Sequence, residues 1–225
     1  AQKADGGDWE LAATAPLDEN SAAVTATGLV PGKSYDFRLQ ISGGDNAGPS
    51  TVVSLTTKVA VTGISLDKVS MELLQNNSET ITASVEPGDA ANKDLIWTSS
   101  NETVATVDGA GLVSAKSAGT ATITATAADG SGSRADCLVT VLPYSVTISG
   151  EQVTIKTYLG NAASVTIPDT IGGKTVVAIG NQAFYNKQTL TEVSIPASVT
   201  SIGYGAFHEC RELTTVNFAT ASQLT

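Results

Sequence analysis

The end of the chain repeats itself, and this constrains the fold more than any other feature. Setting Val176-Val177-Ala178-Ile179-Gly180-Asn181-Gln182-Ala183-Phe184 over Val199-Thr200-Ser201-Ile202-Gly203-Tyr204-Gly205-Ala206-Phe207 gives a period of 23 residues. Leu190 with Leu213, Val193 with Val216 and Ile195 with Phe218 keep that period. A unit this short cannot bury its own apolar face, so successive units must stack and share one core. Within each unit the Leu-x-x-Val-x-Ile spacing fits a short strand with alternate residues turned inward. Ser164-Val165-Thr166-Ile167-Pro168 reads as an earlier strand of the array, with Gly172-Gly173-Lys174 as a local insertion. Val146-Thr147-Ile148 and Val153-Thr154-Ile155 about Gly150 read as a hairpin leading into it.

Upstream, Leu95 to Ala127 shows a different grammar. Trp97 is its one bulky aromatic, and Ile96, Val104, Val107, Leu112, Val113 and Ile123 recur at a spacing suited to half-buried strands. Gly109, Gly111, Gly119 and Asp129-Gly130 punctuate them. Short β-branched strands between Gly turns, around one large aromatic, are what a two-sheet sandwich requires, because each strand buries only alternate side chains. The stretch resembles the bacterial immunoglobulin-like domain of group 2. The resemblance is carried by Trp97 to Asn101, Val104 to Asp108, Gly111 to Val113 and Ala118 to Ala125, and before them by Gly63-Ile64-Ser65-Leu66 and Val85-Glu86-Pro87-Gly88-Asp89-Ala90. It implies a sandwich over 59–142 and an exported bacterial protein.

Residues 1–58 read as strands and turns. Ala1 to Ala4, the Asp5-Gly6-Gly7-Asp8 turn and Trp9-Glu10-Leu11-Ala12 have the signature of a hairpin, and Tyr35-Phe37-Leu39-Ile41 alternates plainly. Leu29-Val30-Pro31-Gly32-Lys33-Ser34-Tyr35, with Trp9 and Ser54-Leu55-Thr56-Thr57, resembles the second half of a fibronectin type III domain. The resemblance implies a tyrosine corner, in which the Tyr35 hydroxyl satisfies a backbone group of the preceding loop. A half sandwich exposes its inner face, so a fragment of a longer chain is expected. There is no Arg-Gly-Asp tripeptide.

The repeats resemble the leucine-rich repeats of bacterial surface antigens, through Ile195-Pro196, Ile202-Gly203, Ala206-Phe207, Cys210, Leu213 and Val216. Lys187 departs from the pattern, standing where the next unit has Cys210, and implies that this position is half-buried. In such repeats the strand face is the usual contact surface. With Val165, Val193 and Val216 turned inward, two ladders should point outward: Ser164, Glu192 and Thr215, then Thr166, Ser194 and Asn217. Glu192, Ser194, Thr215 and Asn217 are the candidate ligand-binding residues. They carry no aromatic ring for stacking a sugar, so a protein ligand is expected rather than a carbohydrate. Leu213, Val216 and Phe218 should be poorly covered at the end of the array.

Composition excludes several functions. The formal charge is −10, from 22 acidic and 12 basic residues, and falls as −3 on 1–58, −6 on 59–142 and −1 on 143–225. No Lys/Arg cluster exists, so nucleic acid and anionic membranes are not expected partners. No run of about 18 apolar residues occurs, so no membrane insertion is expected in this stretch. With aromatics at 5% of residues, the cores must be built from Val, Ile, Leu and Ala. Cys137 and Cys210 fall in different segments and are expected as unpaired, buried thiols. Asp89, Asp108 and Asp129 sit at turns but at no ligand spacing, so Asx-turns are expected there rather than calcium. His208 is the only histidine, is expected in a repeat helix, and has only Cys210 near it in sequence, which is poor for zinc and poorer for a catalytic base. Gly172-Gly173-Lys174 lacks the spacing of a phosphate loop.

The chain is therefore expected to be mainly β: two tandem β-sandwiches, the first partial, then a short leucine-rich repeat solenoid. The expected bounds are 1–58, 59–142 and 143–225. A non-catalytic monomer without cofactor or metal is expected, at the cell surface or secreted, with adhesion or ligand binding as its role; the alternatives are the non-catalytic accessory region of a secreted glycan-active enzyme and a purely structural spacer of a surface fibre.

Overall fold

The computed structural model describes residues 2–4, 26, 28–38, 40–41, 48–220 and 224, and every regular element among them is a strand. No helix among the described residues is long and apolar enough to cross a membrane. The chain divides into two compact units, Ala1–Ile64 with Val85–Asp94 and Ala127–Ser133, and Ser65–Ser84 with Leu95–Thr126 and Arg134–Thr225.

In the first unit Ser34–Phe37 lies between Gln2–Ala4 and Val53–Thr56 in an antiparallel sheet. The described partner of Gln2–Ala4 is thus Ser34–Phe37, while Trp9 to Ala12, the other arm of the expected hairpin, lies outside the described residues. Cross-strand register sets Tyr35 against Leu55 and Phe37 against Val53. The Tyr35 ring is buried, and its hydroxyl accepts the Val30 N–H at 2.9 Å, the loop bond expected of a tyrosine at this place. Farther on, the Lys58–Val61 segment is tied down. Val59 C=O accepts the Ala91 N–H, and buried Val61 donates its N–H to Asp129 Oδ2 at 2.7 Å. Asp129 Oδ1 also accepts the Ser131 N–H, the expected Asx-turn, and these bonds hold its carboxyl below the usual range.

The second unit begins with the sandwich. One sheet runs Leu95–Ser99, Gly119–Ala127, Arg134–Leu142, Ser70–Leu74, and another runs Ala105–Val107, Leu112–Ala115, Ser78–Thr80. Ile123, Cys137, Val139, Val113 and Ile81 are buried in its core, against which Trp97 packs. Gly111 shows why glycine is needed beneath the indole. Its φ is +81°, and a Cβ there would lie 2.5 Å from the Ile81 carbonyl oxygen and 3.1 Å from Trp97 Cζ2. Alternation along these half-buried strands decides which apolar residues are covered: with Trp97 and Val113 turned in, Ile96 and Leu112 are exposed. Asp108 Oδ1 accepts the N–H groups of Ala110 and Leu112, again an Asx-turn. Cys137 is fully buried, which pushes its thiol pKa up and keeps it inert.

The sandwich passes into the repeats through Pro143 alone, since Arg134–Leu142 and Tyr144–Ser149 are both strands. Leu74 and Leu142 pack against the core of the repeats, and the Leu159 N–H is bonded to Pro143 O at 2.7 Å. Tyr144–Ser149 and Gln152–Tyr158 form the expected hairpin, which Lys174–Ile179 joins in parallel and Ser201–Ile202 extends. A second, wholly parallel sheet holds Ser164–Thr166, Glu192–Ile195 and Thr215–Phe218. The insertion is a hairpin: Thr170–Ile171 pairs with Lys174–Ile179, and Gly172 and Gly173 turn at φ +58° and +75°. It lengthens one coil to a spacing of 28, Ser164 to Glu192, against 23 for Glu192 to Thr215, without disturbing the register.

Between the sheets the coils stack through turns and rings. Tyr144, Tyr158, Phe184 and Phe207 form a column with centroid separations of 5.7, 4.9 and 5.0 Å. Each coil places two residues in the left-handed region at matching positions, Gln182 and Gly205, then Asn186 and Glu209. His208, expected on a helix, sits on one of these turns. Cys210 is half-buried rather than buried, and its thiol donates to Phe184 C=O. One coil earlier, the Lys187 ammonium donates to Gly160 C=O at 3.0 Å and lies over the Tyr158 ring. Lys and Cys therefore do one job at this position, which is to give a donor to a carbonyl of the coil below.

Candidate functional site

The parallel sheet of Ser164–Thr166, Glu192–Ile195 and Thr215–Phe218 presents the candidate face. Parallel register sets Ser164 beside Glu192 beside Thr215, and Thr166 beside Ser194 beside Asn217. Val165, Val193 and Ile195 turn into the core and are buried, so the ladder residues point away from it. Glu192 and Ser194 are half-buried, whereas Ser164, Thr166, Thr215 and Asn217 are exposed.

Side chains are ordered across the strands. Asn217 donates Nδ2–H to Glu192 Oε1 at 2.7 Å, and Ser164 Oγ lies 3.4 Å from Oε2. Thr191 Oγ1 donates to Ala163 C=O, and Thr214 Oγ1 to Thr191 C=O, closing the edge of the face. The carboxylate is thus held between two neighbouring coils, with donors and acceptors of small neutral side chains around it. A surface of this kind recognises by hydrogen bonding and shape. It offers no nucleophile paired with a base, and the only nearby carboxylate is engaged by an amide.

The other candidates are placed elsewhere. His208 is exposed, its ring 5.9 Å from that of Tyr185 and Nε2 3.8 Å from Glu209 Oε1, while the Cys210 thiol is given to Phe184 C=O. The two do not converge on a ligand. Among the described residues no three His, Cys, Asp or Glu lie close enough to hold a metal ion. Lys174, beside the Gly172-Gly173 turn, pairs with Glu151 at 2.8 Å and donates to Gly150 C=O.

Alternation along the strands missed one feature of the repeats, a cleft of about 430 Å³ beside the Gln152–Tyr158 strand and the 181–187 turn. Its residues come from non-adjacent stretches whose pairing only the stacked coils reveal.

Comparison with known proteins agrees with this architecture. The family described as bacterial Ig-like domain (group 2) matches residues 60–137, and the BspA type leucine rich repeat region matches residues 157–224. The chain thus joins a stretch similar to the first family to a stretch similar to the second. Both modules are of non-catalytic types and point to a surface or secreted bacterial protein. An alpha-L-arabinofuranosidase of Bifidobacterium longum subsp. longum is 42% identical over 93 residues, 41% of this chain and 9% of that protein. A kappa-carrageenase of Pseudoalteromonas carrageenovora is 43% identical over 83 residues, 36% of this chain and 21% of that protein. The chain thus spans no more than about a fifth of these curated relatives. Among solved structures, a leucine rich cell surface protein from Faecalibacterium prausnitzii A2-165 is 34% identical, covering 37% of this chain and 24% of that one, with a TM-score of 0.34.

Proposed function

We propose that this chain is a non-catalytic, binding part of a bacterial protein displayed at the cell surface or secreted, with its sandwiches as spacers and its BspA-type repeats as the contact surface for a protein ligand. The observation that carries this reading is the parallel sheet whose outward residues stand in register across three coils, with Glu192 fixed between Ser164 and Asn217. Pre-ordered side chains lose less entropy on binding than free ones, and contacts repeated coil by coil accumulate affinity. No aromatic ring belongs to either ladder, which supports a protein ligand on this face over a sugar. The chain acts as a monomer in this reading.

The test is to place Glu192→Lys and Asn217→Lys together in the protein and measure binding to an array of immobilised extracellular proteins. Loss of a partner that the native chain retains supports the strand face. Unchanged affinity, with the fold intact by circular dichroism, moves the contact to the sandwich loops or to another domain.

A second reading is favoured by the two relatives, whose names are those of glycan-cleaving enzymes: the chain is a non-catalytic accessory region of a secreted enzyme of that kind. A catalytic domain encoded in the same gene supports that reading, and additional repeats in the same gene support the first.

A further inference from the structure

We infer that the cleft between the Gln152–Tyr158 strand and the 181–187 turn binds an acidic sugar residue, with its carboxylate or sulfate between Lys156 and Lys187. The cleft has a volume of about 430 Å³, which lies within the range of small-ligand sites. Lys156, Tyr158, Asn181, Gln182, Tyr185 and Lys187 shape it, and no carboxylate lines it.

The charges carry the argument. Residues 143–225 contain four cations. Lys174 is paired with Glu151 at 2.8 Å and Arg211 with Glu209 at 2.7 Å. The remaining two, Lys156 and Lys187, have no carboxylate partner among the described residues, and both line this one cleft. In a chain of formal charge −10, two lysines without a carboxylate thus border the same space. An anion between them would gain charge-assisted bonds from both. The two are also suited to different tasks. Lys187 is anchored by Gly160 C=O and the Tyr158 ring, so its position is set in advance. Lys156 is exposed and has no side-chain hydrogen bond or ion pair among the described residues, so it is free to close on a ligand.

The neutral groups favour a sugar over an acidic peptide. Asn181 Oδ1 accepts the Tyr204 N–H at 2.8 Å, which leaves its NH₂ for a ligand oxygen. Gln182 beside it is exposed, with both amide functions open to ring hydroxyls. Tyr185 is 49% exposed, and its ring is backed by His208 at an interplanar angle of 20°. An aromatic face supported from behind suits the C–H face of a pyranose, and amides beside it suit vicinal hydroxyls. A glutamate side chain would use the ammonium groups alone. The site shares no residue with the strand face, so it stands independently of a protein ligand there.

The test is calorimetric titration of the chain with four probes: an oligogalacturonate, a sulfated galactan oligosaccharide, a neutral galactan oligosaccharide of equal length, and an oligoglutamate peptide. The inference predicts that at least one acidic sugar binds roughly tenfold or more tightly than the neutral sugar and the peptide, and that added salt weakens it. The uronate and sulfate arms distinguish the two acids. Lys156→Gln, at an exposed side chain, should weaken that binding roughly fivefold or more. Tyr185→Ala should weaken it as well. Lys187→Cys installs the residue found at the equivalent position of the next coil, and so removes the charge while keeping a donor. The inference is overturned if neither acidic sugar binds, if the peptide binds as tightly as the sugars, or if Lys156→Gln and Lys187→Cys leave affinity unchanged.

Discussion

The coil centred on Phe184 and the coil centred on Phe207 have nearly the same pattern and very different interiors. Phe184 is stacked between Tyr158 and Phe207 and is fully buried, while Phe207 has Phe184 on one side and remains partly exposed. On the strand face Val193 and Ile195 are buried, whereas their counterparts Val216 and Phe218 are 40% and 49% exposed. Sequence cannot explain the difference, because the residues match at the 23-residue spacing. Burial in a stacked array is conferred by the next coil, so the same side chain is worth more in the middle than at the end.

The sharpest way to break this comparison is to cut both rings. Phe184→Ala should cost about 3–5 kcal/mol in urea unfolding, and Phe207→Ala only about 1–2 kcal/mol, because less apolar surface is returned to water. Equal losses would mean that the two coils are equally packed. A smaller effect is expected at the Lys187/Cys210 position. Cys210→Ala removes the donor to Phe184 C=O and should cost about 1 kcal/mol, while Cys210→Lys, borrowing the donor of the preceding coil, should recover most of it.

Much of this was legible in advance, and what was not has a physical reason. The register of the ladders follows from a period and an alternation, so Ser164, Glu192 and Thr215 could be set side by side from spacing alone. The Asx-turns at Asp108 and Asp129 follow from residue type and position. The faces of Ile96 and Leu112 are less legible, because an apolar residue in a half-buried strand does not declare which side it takes until its neighbours Trp97 and Val113 claim the core. In place of the helix expected around His208 are left-handed residues at Gly205 and Glu209, repeating Gln182 and Asn186 of the preceding coil, an arrangement that Gln and Glu do not announce. The Lys156–Lys187 cleft was invisible because its two cations lie 31 positions apart and meet only through coil stacking.

The smallest expected effect concerns those left-handed turns. Glu209 adopts φ +62° where the preceding coil has Asn186 at +57°, and asparagine tolerates this region better. Glu209→Asn should therefore be neutral or stabilising by a few tenths of a kcal/mol at pH 7 (about 0.3). The Arg211 hydrogen bond and charge hold the Glu209 carboxyl below its ordinary 4.5. A carboxyl depressed in the folded state adds stability above its unfolded pKa and loses it as the pH falls through the folded value. Stability of the native chain should thus fall more steeply below about pH 4.5 than that of Glu209→Asn, which has nothing to titrate there. Parallel pH curves for the two would show that the ion pair contributes nothing.

Amide hydrogen exchange in a dilute monomer tests most directly whether burial is conferred by the following coil. The Glu192–Ile195 strand, covered on both sides by its neighbours, should exchange at rates close to those of global unfolding, and the Thr215–Phe218 strand roughly 100-fold faster or more. Equal protection of the two strands would contradict the account, because the strand with exposed Val216 and Phe218 would then be as well held as the strand paired on both sides.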